Sequence, residues 1–478
     1  MIRLLYPEHS RRGWIVGLVI IWGVFAALVN AQEQNCQDDC AAAFAACEAE
    51  GLEDCLAVDE TCRQSCVEAE AATRPNILVI LIDDMGYGDT NVYGATDTRT
   101  PNINRLAAQG VRFTDAYSSG NVCTPTRAGL MSGQYQQRIG VEDVGRVMPR
   151  SVTTLPQRLR PAGYATGMFG KWHLGDAPGF RPWERGFEEF FGFPTAWCNF
   201  PCARSPLRVT PSSTRQEPLR EYYPDALAKE AVRYVRAHRG EPWFYYMAYN
   251  MVHVPVEVPA QYLNRFRHIP DLRRRTYAAT LAAVDDGIGD VVAALADTGQ
   301  LHRTLIVFAS DNGGPTGTKG SANGSRNTPL RGRKGQTFEG GIRVNMIMQW
   351  PGVLPAGSVY RKPVITMDIT ATALAAAGMS GARDGVNLRP YLTGNSATPH
   401  PLLFWRNRDL YGTHAVRQGP WKLVWSTPTR RYHLFNLADD LREQHDLAGS
   451  NPAKLAELRG LYNAWSAGVD ADARLAQE

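Results

Sequence analysis

Blocks of like charge are missing from this 478-residue chain: nowhere do five Lys/Arg or five Asp/Glu residues follow one another. No basic run is long enough to argue for nucleic acid, and no nucleic-acid partner is expected. Apolar stretches of near-membrane length are missing too, apart from residues 13–29. Cysteine is scarce beyond residue 66, where only Cys123, Cys198 and Cys202 remain. Disulfides therefore cannot hold the bulk of the chain together. With 44% hydrophobic and 21% charged residues, that bulk has an ordinary globular composition and must be held by burial.

What charge there is lies unevenly. Residues 32–73 hold eleven acids and one base, and residues 1–31 carry a net charge of +2, so a chain total of +4 leaves about +12 on the remainder. A basic body suits anionic substrates. At the N-terminus, Arg11 and Arg12 precede the apolar run 13–29, and Val29-Asn30-Ala31 resembles a small-residue cleavage site. Residues 1–31 read as an export signal, or as an uncleaved membrane anchor through 13–29. The protein is expected to be exported: periplasmic, secreted or held at the cell surface.

Six cysteines crowd residues 36–66: Cys36, Cys40, Cys47, Cys55, Cys62 and Cys66. Their spacing is a palindrome about Gly51. Steps of four and seven residues share one helical face, and the Ala/Glu-rich filler favours helix. The symmetry suggests an αα-hairpin over 32–72 with nested disulfides Cys36–Cys66, Cys40–Cys62 and Cys47–Cys55, with metal binding the weaker alternative. Cys198 and Cys202 either close a small loop or stay as thiols. Cys123 has no partner, and an unpaired cysteine in an exported chain needs a reason.

From Thr73 onward, apolar strands alternate with helical stretches, the pattern of an α/β fold with a mainly parallel sheet. Sites in such sheets lie at the carboxyl ends of the strands. The run 76–82 ends in Asp83-Asp84, and the run 305–310 ends in Asp311-Asn312. Either pair alone suits a solvated turn. Together they offer four oxygen ligands with no sulfur or imidazole, a set for Ca²⁺, with Mg²⁺ possible. A strand at 164–169 leads to Lys171 and His173, and one at 244–249 leads to His253. In Cys123-Thr124-Pro125-Thr126-Arg127, Thr124 is expected to cap a helix that begins just after Cys123. Arg127 lies one turn further on.

The stretch from Cys123 to Gly133 resembles the signature of type I sulfatases, within the alkaline-phosphatase-like superfamily. Gly170-Lys171-Trp172-His173-Leu174-Gly175 resembles that family's second signature, and the acidic pairs, His253 and the segment around Lys334 match further positions. The resemblance spans roughly 74–450. It implies a large mixed, mainly parallel sheet flanked by helices over 73–387 and a smaller C-terminal α+β subdomain over 388–478. It also implies that a formylglycine-generating enzyme oxidises Cys123 to formylglycine, the nucleophile, which joins Asp83, Asp84, Asp311 and Asn312 around the cation. Arg127, Lys171 and Lys334 would clamp the sulfate. His173 would act as base and His253 as acid, with exchange of those two roles open. The implied reaction is hydrolysis of an aryl or carbohydrate sulfate ester, whether a small molecule or a glycan. The alternatives are a phosphoester or phosphonate hydrolase of the same superfamily, or an unmatured sulfate-binding protein. Arg204 and Arg208 are expected at the mouth.

Overall fold

The computed structural model describes residues 44–45, 74–195, 206–219, 221–317, 322–408 and 411–476. The expected signal segment, the cysteine-rich hairpin, Cys198, Cys202 and Arg204 lie outside these residues.

The run 76–82 forms strand β1 (Asn76–Ile82), and every one of its residues is buried. Alternate side chains of a strand face opposite sides of a sheet, and both sides are covered here. Ile77, Val79 and Leu81 join one apolar cluster, while Leu78 and Ile80 join another. A continuous apolar run, rather than an alternating one, is what such two-sided burial selects.

Among the described residues, the main sheet has ten strands. After β1 come β2 (Val111–Phe113), the short β3 (Ala116–Tyr117) of a separate pair, and β4 (Ala165–Lys171). Next are β5 (Glu189–Phe193), β6 (Leu207–Thr210), β7 (Ser213–Gln216) and β8 (Trp243–Ala248). Then follow β9 (Thr304–Ser310), β10 (Met346–Gln349), β11 (Ser358–Tyr360) and β12 (Val364–Ile365), which pairs with β3. The order across the main sheet is β11-β2-β10-β9-β1-β8-β4-β5-β6-β7. The strands β9, β1, β8, β4 and β5 run parallel, with antiparallel strands β10, β6 and β7 beside them. The sheet is mixed and mainly parallel, as expected.

Helices cover both faces. On one side lie α1 (Pro101–Ala108), α3 (Tyr223–Ala237) and α4 (Leu272–Asp297), which bury Leu106, Leu227, Leu281 and Ile288 against β1's even-numbered residues. On the other lie α2 (Cys123–Ser132) and α5 (Met367–Ala376), with Leu130, Met131 and Leu374 against its odd-numbered ones.

The C-terminal part is an antiparallel meander, β13 (Leu402–Asn407), β14 (Thr413–Gln418), β15 (Trp421–Ser426) and β16 (Arg431–Asn436), followed by helix α6 (Pro452–Leu475). Leu458 and Tyr462 of α6 join its apolar cluster together with Tyr117, Ile342 and Met367 from the body of the protein. Beneath this cluster, Lys422 of β15 is fully buried between two carboxylates, 2.7 Å from Glu339 and 2.9 Å from Glu443.

Candidate active site

Parallel register brings the acids together. Ile82 pairs with Ser310 at the carboxyl ends of β1 and β9, so the next two residues of each strand stand side by side. Oxygens of Asp83, Asp84 and Asp311 converge within 4.8 Å, and all three residues are buried. Asn312 donates from Nδ2 to Asp84 Oδ1 at 2.7 Å. The neighbouring strands β8 and β4 add His253 and Lys171 from their own carboxyl ends. Four adjacent strands thus feed one spot, the position that open α/β sheets favour for ligands.

Gly170 allows β4 to reach it. Its φ is +115°, and a Cβ there would lie 1.9 Å from the carbonyl oxygen of Ala248. Lys171, the last residue of the strand rather than a loop residue, then places Nζ 2.6 Å from Asp83 Oδ2. Lys334 reaches Asp84 at 2.8 Å, and His253 Nε2 lies 3.6 Å from the same carboxylate.

Cys123 opens α2 as its first helical residue. Val122 is the N-cap, with extended backbone and no side-chain cap, so the expected capping by Thr124 does not occur. The third helical position, whose N–H a cap would normally bond, is Pro125 and has none. The Thr124 hydroxyl instead sits 3.1 Å from His173 Nδ1, which is also 3.3 Å from Cys123 Sγ. Arg127 is fully buried one turn into the helix. It donates to Asp311 Oδ2 from Nε at 3.2 Å and from Nη2 at 2.9 Å, and to the Lys171 carbonyl at 2.8 Å.

Charge and strain mark the same residues. Burial pushes the Asp83 carboxyl up, but Lys171, His253, Arg127 and Lys334 outweigh it and hold that group well below the carboxylate range. Burial and the neighbouring Asp83 raise Asp311 well above its ordinary value. His173 is pushed well below an ordinary histidine by burial first and by Lys171 and Arg127 next, so its ring is neutral near pH 7. Lys334 keeps its charge because Asp84 outweighs its burial. Asp84 and His173 have φ of +63° and +64°, a conformation that costs a residue with a Cβ about 1–3 kcal/mol and collects at functional sites.

A hard cation fits this donor set. Asp83 Oδ1 and Asn312 Oδ1 are buried acceptors with no hydrogen-bond partner, a costly arrangement unless something positive meets them. All ten residues singled out in the sequence meet here. Arg208, expected at the mouth, is engaged elsewhere: it is paired with Glu217 and with Glu230 at 2.6 Å, and it lies over the Phe191 ring. The sequence reading passed over Asn121, which is buried. Its carbonyl accepts from Gly335 N and its Nδ2 donates to Gly335 O, both at 2.8 Å, which ties the Lys334 loop to the Cys123 loop. Its place two residues before Cys123 was the available signal.

Comparison with known proteins agrees. A family model described as Sulfatase matches residues 75–379. The chain is 33% identical over 389 residues to N-acetylgalactosamine-6-sulfatase of Homo sapiens, covering 73% of each chain. It is 33% identical over 456 residues to Arylsulfatase A of Homo sapiens, covering 82% of this chain and 87% of that one. The crystal structure of Ps i-CgsB in complex with k-i-k-neocarrahexaose superposes with a TM-score of 0.76 at 34% identity, covering 82% of this chain and 93% of that one.

Proposed function

The chain belongs to the sulfatase family and hydrolyses a sulfate ester; from that premise we propose that its nucleophile is a formylglycine made from Cys123 and that its cation is Ca²⁺. The observation that carries the reading is Cys123 Sγ at 3.3 Å from a buried histidine, beside a cluster of three carboxylates and three cationic side chains.

Asp83, Asp84, Asp311, Asn312 and the matured residue 123 would hold the cation, which when bound supplies fixed positive charge to orient a sulfate oxygen and acidify the nucleophile. Formylglycine supplies a hydrated aldehyde whose paired hydroxyls allow sulfate to leave again by C–O cleavage. The chain's own residues do the rest. Three carboxylates balance Arg127, Lys171 and Lys334, so the protein part of the site is close to neutral and a cation makes it positive. That excess suits a monoanionic ester whose charge grows on the leaving oxygen as S–O cleavage proceeds. His173, neutral and beside position 123, takes the proton of the nucleophile's second hydroxyl. His253, one-fifth exposed, stands at the open side and gives a proton to the departing alcohol. The ester is an aryl or carbohydrate sulfate. Maturation calls for a formylglycine-generating enzyme, and the leader calls for export.

Peptide mass spectrometry of protein from its native host tests the nucleophile: the peptide holding residue 123 should lose a thiol's worth of mass and react with an aldehyde probe. A free thiol in all of the material would refute it. Chelation should abolish turnover of an aryl sulfate and added Ca²⁺ restore it, whereas higher kcat/KM on the matching aryl phosphate would overturn the choice of sulfate.

A further inference from the structure

The C-terminal meander sends one side chain to the centre. Tyr411 sits in the connection between β13 and β14. Its amide donates to Asn407 Oδ1 at 3.4 Å, and its carbonyl accepts from Thr427 Oγ1 at 2.8 Å. Asn407 is itself buried and donates to Asn121 Oδ1 at 3.2 Å, close to the nucleophile. The Tyr411 ring lies on Gly335, the neighbour of Lys334: a Cβ there would lie 2.3 Å from Cε1 and 2.5 Å from Cζ. Gly335 has φ of +86°, so the bare backbone serves both the turn and the ring.

The backbone of Tyr411 is thus anchored at both ends and its ring is packed on one edge. Its hydroxyl has no hydrogen-bond partner among the described residues, and the side chain is half-buried. The charges acting on its phenol belong to Lys334, Asp143, Asp84 and Cys123, which puts it beside the reacting position. The loop that follows Asp143 carries Val144 and Val147, each more than two-fifths exposed. Glu142 fixes the start of that loop to β13 through Arg406, at 2.9 and 2.6 Å. An anchored aromatic ring with an unsatisfied hydroxyl, beside a tethered loop with apolar side chains, is a wall for a ligand that is partly apolar and partly hydroxylic.

Resting on the sulfatase reading above, we propose that Tyr411 is a specificity-determining residue. It lines the subsite for the alcohol part of the ester, packs against a pyranose ring and hydrogen-bonds one of its hydroxyls. The favoured substrate class is then a carbohydrate sulfate rather than a small aryl sulfate.

Tyr411→Phe and Tyr411→Ala are assayed on 4-nitrophenyl sulfate and on a panel of O-sulfated hexoses and N-acetylhexosamines. Phe should lower kcat/KM on the best sugar sulfate by about three- to tenfold more than on the aryl sulfate, the worth of one neutral hydrogen bond. Ala should lower it further, and the change should appear in KM. Equal losses on both substrates would show that Tyr411 only supports the Lys334 loop, and no loss would show that it touches no substrate; either overturns the proposal. Calorimetry in a Cys123→Ser background reads sugar-sulfate binding without turnover. Binding weakened selectively by Tyr411→Phe in an enzyme that turns over neither substrate would uphold the subsite while sinking the catalytic reading. Failure of the Cys123→Ser protein to bind any sugar of the panel would overturn the subsite.

Discussion

His173 concentrates three costs in one residue: a left-handed backbone, burial, and two cationic neighbours. Each opposes its protonation or its comfort, and the result is a ring that stays neutral where an ordinary histidine would be half charged. The sign is definite. A histidine whose pKa is lowered on folding is bound by fewer protons in the native state, so the unfolded chain gains protons first as pH falls, and stability drops below about pH 6.5 through this group. An NMR titration should find the His173 ring resonances flat from about pH 6 to 8, the range over which an ordinary histidine with a pKa near 6.5 would shift; a midpoint near 6.5 would contradict the burial argument. The residue types were legible in the sequence because strand ends are marked by a change from apolar to polar residues. The left-handed backbone was not, since nothing local distinguishes a strained His from a relaxed one. The misplaced cap at Thr124 has the same origin: its hydroxyl is claimed by a histidine 49 residues away, and local propensity carries no record of that.

At the scale of elements, the buried trio on β15 offers the sharpest tests. Lys422 serves two carboxylates in a dry interior, and Tyr117 and Arg343 add to the Glu339 side. Lys422→Met should cost about 3–5 kcal/mol in denaturant unfolding, because it strands two buried acids; a loss under about 1 kcal/mol would mean that the trio is better solvated than its geometry indicates. Burial pushes Glu443 up to about 7 against the pull of Lys422. The folded chain therefore holds that proton more tightly than the unfolded chain does, and this group subtracts stability as pH rises from about 4.5 to 7. Glu443→Gln should gain stability relative to the parent across that window, and parallel stability curves would refute the assignment. None of this was visible beforehand. Lys422 stands within an apolar, strand-like stretch, and its two partners lie 83 and 21 residues away. The strands themselves were readable: the apolar runs at 76–82, 305–310 and 244–249 each became a fully buried strand. Arg208 was misread because a surface-looking arginine gives no sign of the glutamates waiting for it.

Over the whole molecule, the cation site depends on two strand ends separated by 228 residues. A cation that binds only the native arrangement stabilises it by mass action, about 2.7 kcal/mol at a hundredfold excess over Kd. Ca²⁺ should therefore raise the melting temperature of the parent protein and leave that of Asp311→Asn nearly unmoved; equal shifts would place the ion elsewhere. The overall architecture was legible because alternation of strand and helix is a local signal repeated many times. The order of strands in the sheet was not, because pairing is decided by the assembled faces.

That order has a consequence in time. The central strand β1 is made early, yet its neighbours β8 and β9 come much later, and β9 ends 228 residues after it. At about 5–20 residues per second, a ribosome takes roughly 10–45 s to cover that distance. Until then β1 has no partners, and Cys123, only 2% exposed once folded, still lies in an open chain. The fold thus sets a clock: chemistry on that cysteine has tens of seconds of synthesis in which to act before the sheet closes over it.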